Sequence, residues 1–330
     1  MTTTSAPQLP CKLRFLFFIL SILLDAARRS SGTVNRRLMS LFDFKASPSL
    51  KPTNRVKTSD VMVDHSRNLW FRLYVPTTAD PATLPVIIFF HGGGFVFFSA
   101  NSKPYDDLCK RLALELPAVV ISVNYRLAPE HPFPAQYDDG FDVLKFVDTT
   151  NFEGFPSELD LRRCFLAGDS AGGNVAHHVA VKASDHEFSK MKVIGVIGIQ
   201  PFFGGEERTE SETKLTKALL ITLERTDWYW KALLPEGKGR DDPAVNVFGP
   251  HSDGFLGKNF PATMVIVGGF DPLQDWQRRY YEGLKKAGKE AYLVEYPNSF
   301  HGFYCFPELK ESTLLIDRMK DFIEKQSAPH

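Results

Sequence analysis

The sequence is short of cysteine, of net charge and of long apolar runs, and each shortage excludes something. Its four cysteines, Cys11, Cys109, Cys164 and Cys305, are scattered over 330 residues. They match no metal-ligand spacing and no disulfide framework, so free thiols in a reducing compartment are expected. Lysine plus arginine equals aspartate plus glutamate, 39 each. No global field therefore recommends nucleic acid or an anionic membrane as a partner, and a small molecule is the expected one. The apolar stretch at 15–24 is only ten residues long, too few to span a bilayer. It follows Lys12 and Arg14 as in a signal peptide, but Asp25, Arg28 and Arg29 stand where a small-residue cleavage site would be needed. The chain also has no Asn-x-Ser/Thr acceptor for glycosylation. A soluble cytoplasmic protein is expected, with the nucleus left open. No internal repeat and no low-complexity tract is present.

What the chain does have is core-forming material: 43% hydrophobic residues and 28 phenylalanines, enough for one large domain. Residues 60–64 and 69–75 read as a strand pair with a turn at 65–68. Apolar runs at 84–90, 118–123, 164–167, 192–199, 264–267 and 291–296 read as buried strands. Helical spacing appears between them at 105–116, 139–147, 174–181, 215–223 and 277–287, and again at 309–325. Strands alternating with helices predict an α/β fold with a mainly parallel sheet covered on both faces.

Three places on this pattern carry chemistry. The run Cys164-Phe165-Leu166-Ala167 drives into Gly168-Asp169-Ser170-Ala171-Gly172, followed by a helical segment. This is strand, tight turn and helix around Gly-x-Ser-x-Gly, which sets a serine on a strained corner. Serine also caps helices, so the motif alone is weak. Upstream, His91-Gly92-Gly93-Gly94 follows the strand at 84–90. Consecutive glycines there let backbone N–H groups converge on one point, as an oxyanion requires. Downstream, Asp271 and His301 each follow a predicted strand. Alone, an aspartate before proline is a turn former and a histidine is a packing residue. Together with Ser170 they stand in the order Ser, Asp, His of a nucleophilic triad. Ser170 is the candidate nucleophile, His301 its base and Asp271 the group that orients the imidazole. Gly93, Gly94 and Ala171 are the candidate oxyanion donors. Ester hydrolysis through an acyl-serine needs no metal and no organic cofactor. Asp169 and the adjacent His177 and His178 are read as structural, since neighbouring helical side chains point about 100° apart.

These motifs, with Asn124-Tyr125-Arg126-Leu127-Ala128-Pro129-Glu130 and Tyr137-Asp138-Asp139-Gly140, resemble plant carboxylesterases of the hormone-sensitive-lipase type over residues 12–325. The resemblance implies an α/β-hydrolase fold and a small-molecule ester substrate. The chain is particularly similar to the gibberellin-receptor branch, through stretches such as 28–36, 207–212, 227–231 and 281–288. Two departures separate it from that branch: the receptors replace the triad histidine by an apolar residue and carry HGGS, whereas His301 and Gly94 stand here. A protein partner is expected only if the chain behaves as a receptor. A non-hydrolytic relative, such as a dehydratase of the hydroxyisoflavanone type, is the third reading. Residues 1–10, polar with two prolines, read as a disordered start; the resemblance implies an N-terminal cap at 11–55 before a hydrolase domain at 56–326. A lid insertion would occupy about 202–259. Trp228, Tyr229 and Trp230 fall in that insertion, either lining a pocket or fastening the lid to the core.

Overall fold

The computed structural model describes residues 9–77, 83–150, 154–216, 218–252 and 256–328. The disordered start expected at 1–10 falls mostly outside them; Leu9 packs against the core, and Pro10 leads directly into the first helix.

Val56–Asp64 (β1) and Leu69–Pro76 (β2) form an antiparallel hairpin. Leu84–Phe90 (β3), Val119–Asn124 (β4), Leu159–Asp169 (β5), Val193–Ile199 (β6), Ala262–Phe270 (β7) and Ala291–Phe300 (β8) run parallel to one another. β2 pairs antiparallel with β4, and the eight strands make one sheet in the order β1-β2-β4-β3-β5-β6-β7-β8. The chain is thus an α/β-hydrolase fold. The buried run of β3 shows why the sheet needs cover on both sides. Val86, Ile88 and Phe90 face one apolar core, while Ile87 and Phe89 face the other, as a period of two dictates.

The helices supply that cover. Lys103–Glu115 (α3) and Lys310–Ser327 (α9) put Leu112 and Ile316 into one core. Ala135–Thr149 (α4), Ala171–Ser184 (α5) and Gln274–Lys286 (α8) put Val143, Val179 and Leu284 into the other. At the N-terminus, Cys11–Ala27 (α1) and Arg36–Ser40 (α2) precede the sheet. α1 contributes to both cores, Leu13 and Phe17 to one and Leu24 and Ala27 to the other.

One expected helix, at 215–223, is not there. The segment is split into Glu210–Lys214 (α6) and Leu223–Leu233 (α7), with irregular backbone between. Two threonines explain the division. Thr209 makes a reciprocal capping box with Glu212, and Thr222 accepts the N–H of Arg225, so each starts its own short helix. The carbonyls of Leu219 and Leu220 accept instead from Ser21 Oγ and Arg225 Nη1. Apolar spacing alone does not reveal that diversion.

Candidate active site

The site lies where the topology reverses. From β3 the chain steps to β4 on one side, then returns across β3 to β5 and continues outward through β8. In an open α/β sheet the crevice beyond the carboxyl ends of strands at such a reversal is the place for a ligand. Here the His91-Gly92-Gly93-Gly94 loop leaves β3, and Ser170 leaves β5, the next strand in the sheet.

Ser170 has φ 51° and ψ −119°, a conformation that side chains seldom adopt. The two outer glycines of the motif permit it. A Cβ on Gly168 would come within 2.2 Å of the Gly172 carbonyl oxygen, and a Cβ on Gly172 within 1.9 Å of that of Phe90. Backbone bonds hold the corner: Ser170 N–H donates to Ile199 O at 2.9 Å, and Phe202 N–H to Ser170 O at 2.8 Å.

Asp271 follows β7, is fully buried, and accepts from Leu273 N–H at 2.9 Å and Gln277 Nε2 at 2.8 Å. Its Oδ2 lies 2.7 Å from Nδ1 of His301, which follows β8. That contact orients the imidazole with Nε2 away from the carboxylate. Among the described residues no hydrogen bond joins Ser170 Oγ to the ring. The structure therefore brings Asp271 and His301 into direct contact and sets Ser170, its hydroxyl uncommitted among the described residues, at the same carboxyl edge of the sheet.

The glycine loop divides its amides. Gly92 N–H is taken by Asp169 Oδ1 and Tyr105 Oη, each at 2.9 Å. Gly93 and Gly94 have φ 98° and 63°, and among the described residues their N–H groups, and that of Ala171 at the first position of α5, have no partner. The ring of Tyr229 presses on this loop: a Cβ on Gly94 would meet it at 2.7 Å. His91 is buried and stacked on Tyr125 with centroids 4.3 Å apart, and burial lowers its pKa to about 4. It holds the loop as a neutral ring.

Two residues in this region do more than their sequence positions suggested. Asp169 is the hub of the floor of the site. Besides Gly92, its buried carboxylate accepts from Tyr105 Oη at 2.9 Å and Tyr304 Oη at 2.6 Å. It joins the glycine loop, the serine corner and the segment after His301. Burial pushes its pKa up to about 6, against the opposing pull of Tyr304, Tyr105, the His301 charge and the Gly92 amide. Gln200 brackets His301: Nε2 donates to Phe300 O at 3.3 Å and Oε1 accepts from Gly302 N–H at 2.9 Å. Its one signal in the sequence is a polar residue ending an apolar strand, a place where polar residues are common. His177, buried, and His178, half-buried, are structural rings, bound to Tyr280 Oη at 2.9 Å and Ala244 O at 3.2 Å.

The aromatic triplet fastens its segment to the rest of the fold. Trp228 Nε1 donates to Arg29 O, Trp230 stacks on Phe202 with centroids 4.0 Å apart, and Tyr229 covers the glycine loop. Arg225 on α7 binds Asp25 of α1 through two hydrogen bonds, at 2.8 and 2.7 Å, and reaches Ser21 Oγ at 3.0 Å. α1 and α7 are thereby fastened to each other. Among the described residues no group of His, Cys, Asp and Glu could hold a metal ion.

A family profile described as the alpha/beta hydrolase fold matches residues 87–305, from the strand before the glycine loop to just past His301. The chain belongs to that family. Within it, the chain is 44% identical to the gibberellin receptor GID1C of Arabidopsis thaliana, over 91% of this chain and 90% of the receptor. It is 34% identical to carboxylesterase 20 of the same plant, over 91% and 95%. Among solved family structures, an ester-hydrolase from the metagenome of Lake Arreo superposes with a TM-score of 0.74 at 28% identity, covering 96% of this chain and 98% of that one. The Pyrobaculum calidifontis esterase gives 0.73 at 27%, covering 98% and 100%.

Proposed function

We propose that this α/β hydrolase is a carboxylesterase that cleaves small to medium carboxylic esters through an acyl-serine. The observation that carries the reading is the Asp271–His301 hydrogen bond, with Ser170 on a strained corner at the same carboxyl edge of the sheet and three amides without a partner among the described residues. In the reaction, His301 Nε2 takes the proton of Ser170 Oγ as the oxygen attacks the ester carbonyl. Asp271 stabilises the imidazolium so formed. The N–H groups of Gly93, Gly94 and Ala171 receive the developing oxyanion, a donor of this type being worth about 3 kcal/mol in the transition state. The proton then passes to the leaving alcohol, and water repeats the sequence on the acyl-serine. The open Ser170–His301 link is compatible with this, because such contacts tighten when substrate binds. Residues 11–55 and about 202–259 act as cap and lid, a role supported by the Arg225–Asp25 contact.

Turnover of p-nitrophenyl acetate and butyrate, with Ser170→Ala as control, tests the reading. The variant is expected to lose at least a thousandfold in kcat, on the order of what removing a catalytic serine costs, while its circular dichroism is unchanged. Substantial residual activity would remove Ser170 from the mechanism.

The 44% identity to a gibberellin receptor favours a second reading, binding without turnover. His301 weighs against it, since the resembling receptors lack that base. Saturable gibberellin binding by a protein that neither turns over esters nor reacts with an organophosphate would establish the second reading.

A further inference from the structure

α1 carries two apolar stripes, and the chain covers one of them. Leu13, Phe17 and Leu24 turn inward, Phe17 packing edge-on against Phe300 and Phe306 at 5.1 and 5.3 Å. On the opposite side Phe15, Phe18, Ile19 and Ile22 stand at positions i, i+3, i+4 and i+7, one continuous face. Phe15 is 68% exposed and Phe18 61%. A helix apolar all round is normally buried all round. This one is left half covered, and contiguous exposed apolar patches mark interaction sites.

The charge of the segment that carries the patch says what covers it. The whole chain is neutral, yet residues 11–55 hold nine lysines and arginines against two aspartates, Asp25 and Asp43, with no glutamate. The remainder of the chain is acidic by the same margin. Among the described residues Lys12 and Arg14 of α1 itself are exposed and make no ion pair, and neither do the exposed Arg29 and Arg37 that follow it. Lys12 stands one turn before Phe15 on the same stripe. Both aspartates are already engaged, Asp25 by Arg225 and Arg28, and Asp43 by Lys45 at 2.5 Å. An exposed stripe of Phe and Ile in a basic segment, with no polar side chain projecting from its middle, fits the interfacial zone of an anionic bilayer. A protein partner would more commonly meet hydrogen-bonding groups among the apolar ones.

We propose that α1 is an interfacial anchor, lying in the plane of an anionic lipid surface with Phe15, Phe18, Ile19 and Ile22 inserted. It lies on the membrane and does not cross it; among the described residues no helix is long and apolar enough to span. The inner face of α1 touches Phe300, the residue before His301, so the anchor would present the site to molecules partitioned in the lipid. The anchor itself stands whether or not the site turns over esters.

Flotation of the full chain with vesicles tests this. Phosphatidylcholine vesicles are compared with vesicles in which a third of the lipid is phosphatidylserine, at low and high salt, for the parent and for Phe15→Ser/Phe18→Ser. The bound fraction is expected to rise roughly tenfold or more with phosphatidylserine, as several unpaired cations at about 1 kcal/mol each require. It should fall back with salt and in the double variant, whose melting temperature should match the parent's because both side chains point outward. Absence of binding to either vesicle, or binding indifferent to the double substitution, would overturn the proposal. So would a dimer in light scattering that the double variant dissociates, or a purified soluble protein that binds the parent stoichiometrically and not the variant.

Discussion

Asp169 shows how one buried carboxylate joins the parts of a site and what that costs. An aspartate in the unfolded chain titrates near 3.9, whereas burial raises this one to about 6. Between those values the folded state holds a proton that the unfolded state has lost, so this group's contribution to stability falls as pH rises from about 4 to about 6. Two units correspond to about 3 kcal/mol. Asp169→Asn does not titrate. In urea unfolding, the stability of the parent relative to this variant should therefore decline between pH 4 and 7, by up to about that amount. Differencing the two proteins removes every other titrating group, and parallel pH profiles would show that the carboxylate is not strained by burial. The variant should also lose kcat more than it raises KM, because asparagine keeps one acceptor oxygen and puts an NH2 in place of the other, so that Gly92 N–H, Tyr105 Oη and Tyr304 Oη can no longer all be accepted and the glycine loop shifts. The sequence could not convey this. It shows Asp169 as the variable position of Gly-x-Ser-x-Gly, while its partners lie 77, 64 and 135 residues away.

At the scale of the element, what was legible follows from how locally each element is determined. The central strands declare themselves because a strand buried on both faces must be a near-continuous apolar run, as β3 and the second half of β5 are. The placing of Ser170, Asp271 and His301 was legible for a related reason: each stands one residue beyond a parallel strand, Ser170 and Asp271 after the buried β5 and β7 and His301 after the edge strand β8. The 215–223 segment misled because its apolar spacing is used for tertiary contact, with Thr222 restarting the helix and Arg225 diverting the carbonyls. Arg225 is the residue on which the α1–α7 junction turns. Its hydrogen bond is the leading reason that the Asp25 carboxyl lies below its usual range. A lowered carboxylate pKa means that this contribution is complete above about 4 and is lost as pH falls below it. Arg225→Met keeps much of the aliphatic packing and removes the charge-assisted bonds. Hydrogen exchange in residues 11–27 should accelerate about tenfold at neutral pH, as a loss of about 1.4 kcal/mol requires. The difference from the parent should shrink in acid. Unchanged exchange would mean that α1 is held by its apolar inner face alone.

Across the whole molecule, stability and function are distributed in opposite senses. The middle of the sheet is paired on both sides and covered on both faces; from Cys164 to Asp169, β5 has no exposed residue. This is where Ser170 and the glycine loop need to be rigid, since an oxyanion donor displaced by a fraction of an ångström stabilises nothing. α1 buries only Leu13, Phe17, Leu24 and Ala27, and α7 is fastened to it through Arg225. Local opening costs less free energy where fewer apolar contacts are broken. Amide exchange in the full chain should therefore be slowest in β3, β5 and β6, intermediate in α8 and α9, and fastest in α1 and the 218–222 segment. If α1 and α7 cap the site as proposed, a phosphonate on Ser170 adds a group against their inner faces and not against the strands. It should slow exchange in those two helices while leaving β5 unchanged. If α1 exchanges as slowly as β5 before labelling, its opening is global unfolding and it cannot gate the site. If labelling slows the strands and not α1, the bound group lies away from the helix, and substrate enters by another side.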